Sequence, residues 1–411
     1  MRRMSEIKAG KGPVARFLLV MVFLLAGMGG VPPASAGAGD GGADMVVADN
    51  WRAGIDSLLR DELLQTSQLG LCVYDLTADT LLYAFQSRQR MRPASTEKVV
   101  TAVAALAELG LSYKFSTRLY HTGEVRGDVL QGDLYVVGGF DPCFGEADLA
   151  VFVEAVKRLG VDSIAGRLCA DVSMKDTLQW GWGWCWDDEM PVLTPLLLGG
   201  EDVFMERMSD VLGEAGIGVV AGGRSRCPAG AALLAERVRP LSEVLRPMMK
   251  ESDNLCAEAV FYQLAARSGK PYASRKEAFH CIERLIGQMG YDPSKYLVAD
   301  GSGVSLYNYL TPELEVAFLR YAYRDSRLFQ ALYEVLPVAG VDGTLKRRMR
   351  EGRARDNVRA KTGTLEGVST LAGYALASNN HALAFCIMNQ GVESVREAQK
   401  FQDRVCEWLC R

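Results

Sequence analysis

The stretch Pro93-Ala94-Ser95-Thr96-Glu97-Lys98-Val99-Val100-Thr101-Ala102-Val103-Ala104-Ala105-Leu106-Ala107-Glu108-Leu109-Gly110 decides how this chain is read. Its apolar positions Val99, Val100, Val103, Leu106 and Leu109 recur at helical spacing, and Gly110 is placed to end the helix. Ser95 therefore stands at a helix start, with Lys98 one turn on and on the same side. That spacing brings an amine to a hydroxyl without help from tertiary structure. Taken alone, Ser-x-x-Lys is weak evidence, because serine is a favoured N-cap.

Two partners change its weight. Ser252-Asp253-Asn254 falls between the apolar helical stretches Leu241 to Met249 and Leu255 to Ala266, which predicts a helix–loop–helix turn. Ser, Asp and Asn suit ordinary caps and turns too. Lys361-Thr362-Gly363 opens the strongest β region. Val368 to Ala377 and Ala382 to Met388 read as a hairpin turning at Ser378-Asn379-Asn380-His381. On an edge strand these three residues offer a cation for a carboxylate, a hydroxyl, and room for a substrate backbone. A nucleophile with an amine, a hydroxyl with an amide, and a cation on a strand together equip an acyl-enzyme mechanism that needs no histidine.

Copies of these patterns elsewhere have simpler explanations. Ser378-Asn379-Asn380 is hairpin-turn chemistry. Ser5-x-x-Lys8 lies in a leader: Arg2, Arg3, Lys8, Lys11 and Arg16 are basic, Phe17 to Ala26 is a short apolar run, and Ala34-Ser35-Ala36 offers a cleavage site. The run is short for a membrane span. Residues 1–36 are thus expected to be a signal peptide, placing the mature protein in the periplasm or at the cell surface.

About 375 residues remain, enough for two domains or one large one with an insertion. There are 46 basic against 50 acidic side chains, which gives no electrostatic case for nucleic acid. The run Lys346, Arg347, Arg348, Arg350, Arg353, Arg355, Arg359 reads as a solvated basic face or, more pointedly, as attraction to an anionic polymer or membrane surface. Peripheral membrane or wall contact is left open. Ten cysteines in an exported chain permit disulfides, with no pairing readable. They form no Cys-x-x-Cys pair and do not cluster with the three histidines, so a zinc site is not expected, and an acyl-enzyme course needs no metal or organic cofactor. Cys72 and Cys386 sit in apolar strand-like runs as small hydrophobes.

Val47 to Gln68 reads as an amphipathic helix, Leu69 to Tyr74 and Leu81 to Phe85 as strands, Val203 to Ala215 as helical, and Val392 to Cys410 as a terminal helix. Strands from both ends of the chain imply one α/β (α+β) unit closed by the termini.

With PASTEK around Ser95, GGFDP at Gly138 to Pro142, WGWCWDD at Trp182 to Asp188, SDNLCAE at Ser252 to Glu258, DGSGVS at Asp300 to Ser305 and AGVDGTL at Ala339 to Leu345, the chain resembles the penicillin-binding proteins and serine β-lactamases. Within them it is most similar to the D-alanyl-D-alanine carboxypeptidase/endopeptidase family, the class C low-molecular-mass penicillin-binding proteins. The likeness covers essentially the whole mature chain. It implies a β-lactamase/transpeptidase-like domain, an antiparallel sheet flanked by helices, made of residues 37–114 and 239–411. It also implies an inserted smaller domain at 115–238, shortened relative to larger members. The long gap between Ser95 and Ser252 has this explanation.

The resemblance implies a serine DD-peptidase that hydrolyses D-alanyl-D-alanine or D-alanyl cross-links of peptidoglycan and takes β-lactams covalently. Ser95 would be the nucleophile. Lys98 would be its base, if burial or a nearby cation such as Lys361 lowers its pKa from about 10.4. Ser252 would relay the proton, Asn254 hold the substrate amide, and Lys361 bind the terminal carboxylate beside Thr362 and Gly363. The N–H groups of Ser95 and Thr364 would form the oxyanion hole. Asp141 would help line the pocket for the stem-peptide side chain. One departure falls there: members often carry an arginine after DGSG-x-S, where this chain reads Ser305-Leu306-Tyr307. Trp180, Trp182, Trp184 and Trp186 could stack on sugars; packing the insertion against the main domain is the plainer reading. Gly301 and Gly303 mark a tight loop. A serine β-lactamase, which would need a carboxylate to activate water, and a catalytically silent wall-binding protein are the alternatives.

Overall fold

The computed structural model describes residues 51–188 and 190–411. The leader and its Ser5-x-x-Lys8 copy lie outside the described residues. The chain divides into two compact units, one of residues up to 91 together with 311–411, the other of residues 92–310.

The first unit is built on a five-stranded antiparallel sheet in the order β10-β11-β12-β1-β2. Its strands are β1 (Gln68–Asp75), β2 (Thr80–Phe85), β10 (Arg359–Leu365), β11 (Val368–Leu376) and β12 (Ala382–Gln390). The amino-terminal strand β1 pairs with β12 from the far end of the chain, Cys72 opposite Cys386. Strand β11 is buried along its whole length and β12 along all but its last residue, which explains their near-continuous apolar sequences. Leu71, Val73, Leu371, Phe385, Ile387, Phe401 and Val405 form the core, the last two from the terminal helix (Val395–Leu409). Asn380 takes a left-handed φ of 65° in the β11–β12 turn, a conformation asparagine tolerates, so the Ser-Asn-Asn copy is turn chemistry.

One expected element is broken. Residues 51–58 are helical, but a turn follows, then a single 3-10 turn (Glu62–Gln65) capped by Asp61. Asp61 accepts from Leu63 N–H, and a side chain that offers such a bond competes with helix continuation. The basic run is not one solvated face either. Arg348 is mostly buried against Asp403 at 2.6 Å, and Arg359 is buried over the Tyr333 ring.

The second unit holds a helical cluster and a second sheet. Its helices include α1 (Glu97–Glu108), α2 (Glu146–Lys157), α3 (Phe204–Glu214), α4 (Leu241–Lys250), α5 (Asn254–Ala266) and α6 (Arg275–Gln288). The second sheet includes β4 (Val125–Arg126), β5 (Val129–Leu130), β6 (Leu134–Val137), β7 (Ser163–Asp171) and β8 (Gly218–Arg224), and runs β4-β5-β7-β6-β3-β9 with β8 on β7. It begins at β3 (Lys114–His121) and ends at β9 (Ala232–Pro240), and these two pair antiparallel. Leu119, Val136, Phe144, Phe152, Leu168, Phe204 and Met208 give it its own core. Immediately after β9 the chain enters α4, α5 and α6, which pack with α1.

Candidate active site

Ser95 lies in a 3-10 turn (Ala94–Thr96) that leads into α1, half-buried, while the next residues of the helix are covered. It does not cap the helix; Thr96 holds the N-cap position. Its hydroxyl is thus not committed to helix N–H groups. Ala94, just before it, has a φ of 48°, a left-handed conformation that costs a non-glycine residue energy. Lys98, one turn on, is completely buried.

The surroundings of Lys98 define its chemistry. Its Nζ lies 2.9 Å from Ser95 Oγ, 2.7 Å from Asn254 Oδ1 and 2.7 Å from the Ser302 carbonyl. An ammonium has three protons to donate and here has three acceptors. Remove one proton and the pattern has one solution. The Asn254 and Ser302 oxygens only accept, so they keep the two remaining N–H groups. The nitrogen lone pair then faces Ser95 Oγ, whose O–H turns to donate. The same short contact serves both protonation states, and in the neutral state the amine lone pair is aimed at the Ser95 hydroxyl. Burial is the largest influence on this amine and lowers its pKa to about 8, against the opposing pull of Asp300, Glu258, Asp253 and Glu97.

Asn254 is the first residue of α5, and the turn before it is strained: Ser252 has a φ of 63°. Asp253 caps α5 by accepting from Cys256 N–H at 2.7 Å, so the tripeptide's helix-start role and its projection into the site coexist. Asn254 Nδ2 lies 3.4 Å from Met190 Sδ, which leaves Oδ1 for Lys98.

Behind Lys98 lies a group of residues that periodicity does not single out. Glu258, the only charged residue of α5, is buried, and its Oε1 accepts from Gly301 N–H at 3.1 Å and Ser302 N–H at 2.9 Å. This holds the Ser302 carbonyl toward Lys98. Burial, then Asp300, raises the Glu258 carboxyl to about 8. Asp300 ties down the same loop: Oδ1 accepts from Gly303 N–H and Asn308 Nδ2, and Oδ2 from Ser305 N–H and Trp184 Nε1. Gly303 has a φ of 83°, and a Cβ there would stand 1.9 Å from the Ala94 carbonyl oxygen. Only glycine lets this loop pass the turn that bears Ser95.

The tryptophan cluster divides. Trp184 is buried on Asp300, Trp182 lies against Tyr307 with 4.8 Å between rings and under the Arg275 guanidinium, and Trp186 is largely exposed. Leu306 has its carbonyl held by Arg92. Asp141 is buried and engaged inside the protein. It accepts from Cys143 N–H and pairs with Arg239, which also holds Asp148. Burial raises its pKa in spite of the arginine.

Lys361, Thr362, Gly363 and Thr364 belong to the first unit, on β10. Within its sheet β10 is an edge strand, paired with β11 on one side. Lys361 is buried and donates to the Thr362 carbonyl; Thr362 Oγ1 donates to Thr344 Oγ1. Among the described residues no group of His, Cys, Asp or Glu is arranged to hold a metal ion.

A half-buried serine thus lies beside a buried lysine whose amine can turn basic toward it, on a fold of sheet and flanking helices. The model of the D-Ala-D-Ala carboxypeptidase 3 (S13) family matches residues 51–196 and 200–411. The chain belongs to this family and is a serine-type D-Ala-D-Ala carboxypeptidase. It is 25% identical to the D-alanyl-D-alanine carboxypeptidase DacB of Haemophilus influenzae, over 80% of this chain and 86% of that protein. To carboxypeptidase DacB of Mycolicibacterium smegmatis it is 29% identical, over 87% and 84% of the two chains. In structure it resembles penicillin binding protein 4 from Haemophilus influenzae, with a TM-score of 0.77 at 23% identity over 85% of this chain and 97% of that one. That likeness speaks for the fold.

Proposed function

We propose that the chain cleaves D-alanyl bonds of peptidoglycan stem peptides through an acyl-enzyme on Ser95, with Lys98 as the base that takes the serine proton. The arrangement around Lys98 Nζ carries this reading, because two of its three partners can only accept and the third is the nucleophile. Attack forms the Ser95 ester and breaks the D-alanyl amide. The proton taken from Ser95 passes by way of Ser252 to the leaving amine, and water then frees the enzyme. Asn254 holds the substrate amide, and Lys361 takes the terminal carboxylate with Thr362 and Gly363 beside it. The N–H groups of Ser95 and Thr364 polarise the scissile carbonyl. A β-lactam enters the same course and stays as the ester.

Residues 115–238 are read as an inserted domain, supported by the separate core of the β3–β9 sheet. The remainder of the mature chain, 37–114 and 239–411, is read as the catalytic domain. Substrate class and family support a reading in which the protein works in the periplasm or at the cell wall, with residues 1–36 read as an export signal. No helix of the described residues is long and apolar enough to cross a membrane. Asp141 is kept as a residue of the pocket for the stem-peptide side chain, its carboxylate held in place by Arg239 and the Cys143 N–H.

Purified protein incubated with defined monomeric and cross-linked muropeptides, with products read by mass spectrometry, tests this function. Free D-alanine from monomers is expected. Monomers released from dimers would add endopeptidase activity, and the absence of both products would overturn the proposal.

A further inference from the structure

The second sheet carries a cavity of about 520 Å³ between α3 and the paired strands β7 and β8, a volume typical of small-ligand sites. The sequence explains why this space is open. Ala221 and Gly223 of β8 line it and bring no bulk, and a Cβ built on Gly223 would meet nothing within 4 Å. On α3, Phe204, Met208 and Leu212 are buried one turn apart in the core. Their neighbours Met205 and Ser209 line the cavity instead, and Leu168, Ala170 and Leu196 complete an apolar wall. Thr194 also lines it. This residue is only 3% exposed, and among the described residues its hydroxyl has no hydrogen-bond partner. A buried hydroxyl so placed must find its partner in the cavity. The rim is acidic. Glu206 and Asp210, one turn apart, make no ion pair among the described residues, while Arg207 pairs with Glu146 and Glu214. Asp202, which accepts from Gln179, adds a third carboxylate against the one guanidinium of Arg224.

We propose that this cavity binds a short apolar peptide by its free amino end. The ammonium is met by Glu206 and Asp210 in charge-assisted hydrogen bonds. Apolar side chains of the peptide leave water against Leu168, Leu196 and Met205. The Thr194 hydroxyl donates to a peptide carbonyl, and Arg224 offers a second donor of that kind. A peptide of the same shape with a blocked amine loses the ammonium contact, and one with a carboxylate instead meets three like charges. The same acidic rim repels anionic lipid headgroups, which argues against a membrane as the occupant. Ser95, Lys98 and Asn254 line no part of the cavity, so its occupation does not depend on acylation.

The test is isothermal titration calorimetry on the full chain with three peptides that share one apolar body. Dileucine amide is a cation, its N-acetyl derivative is neutral, and N-acetyl-dileucine acid is an anion. The cation should bind about tenfold or more tighter than the neutral peptide, and the anion weakest. Prior acylation of the protein with penicillin should leave these affinities unchanged. Glu206→Gln combined with Asp210→Asn, isosteric changes of exposed side chains, should remove the preference for the free amine. Ala221→Trp, at an exposed position of β8, should fill the cavity and abolish binding of all three. No saturable binding at millimolar peptide, equal affinity for the three, loss of binding in the acylated protein, or full binding by Ala221→Trp would overturn the proposal.

Discussion

Lys98 and Glu258 are buried ionisable side chains held a short way apart, and the second sets the stage for the first. Glu258 touches no proposed reacting atom; it fixes the loop whose Ser302 carbonyl takes one Lys98 proton. Glu258→Gln keeps an acceptor of the same shape, so penicillin acylation at neutral pH should stay within about threefold of the parent. Glu258→Ala leaves two buried N–H groups without their acceptor, at about 1–3 kcal/mol each. It should lower both the acylation rate, by about tenfold or more, and the melting temperature. Stopped-flow acylation with a fluorescent penicillin separates these outcomes; equal loss in both variants would show that charge, not loop support, is the role of Glu258. The sequence holds a signal for this residue: one carboxylate in the otherwise uncharged run Asn254–Ala266. Helical periodicity does not reveal it, because that helix is buried on nearly every side and has no polar face against which an exception would stand out.

At the scale of elements, the site depends on three irregular pieces of backbone: the 3-10 turn with Ala94, the left-handed Ser252, and the Gly301–Gly303 loop. The strong periodic elements were legible in the sequence. The helix after Ser95, the helices on either side of Ser252, and the β11–β12 hairpin stand within a few residues of their expected places. The irregular pieces were not, since a left-handed serine or a 3-10 entry is imposed by packing rather than by local preference. Of the helix expected over 47–68, the described part is helical over 51–58 and stops before the competing Asp61 cap. Gly303→Ala tests the close approach directly. The added Cβ meets the Ala94 carbonyl in a conformation alanine avoids, so the turn that bears Ser95 must shift. Acylation should fall about a hundredfold with all ionisable groups retained. An unchanged rate would mean that the loop does not position Ser95.

For the whole molecule, the buried carboxyl and amine make stability depend on pH in opposite directions. The folded protein keeps a proton on Glu258 up to about 8, whereas the unfolded chain releases it near its ordinary value of 4.5. Its contribution is therefore fully present below 4.5 and is lost as pH rises through about 8. Lys98, lowered to about 8, reverses the slope between there and 10.5. Urea unfolding midpoints across this range should decline toward pH 8, and Glu258→Gln should flatten the decline; an identical slope in the variant would remove Glu258 as its source.

The central claim, that Lys98 is the base for Ser95, is tested most directly by the rate at which penicillin acylates Ser95 as a function of pH. The adduct is located by peptide mapping, and parent and Lys98→Ala proteins are compared. The neutral amine is the active form, so the parent rate should rise with pH through about 8 and level off. Lys98→Ala should lose about a thousandfold and the limb with it. A Lys98→Ala protein that acylates at the parent rate, or that keeps the same rising limb, would contradict the account.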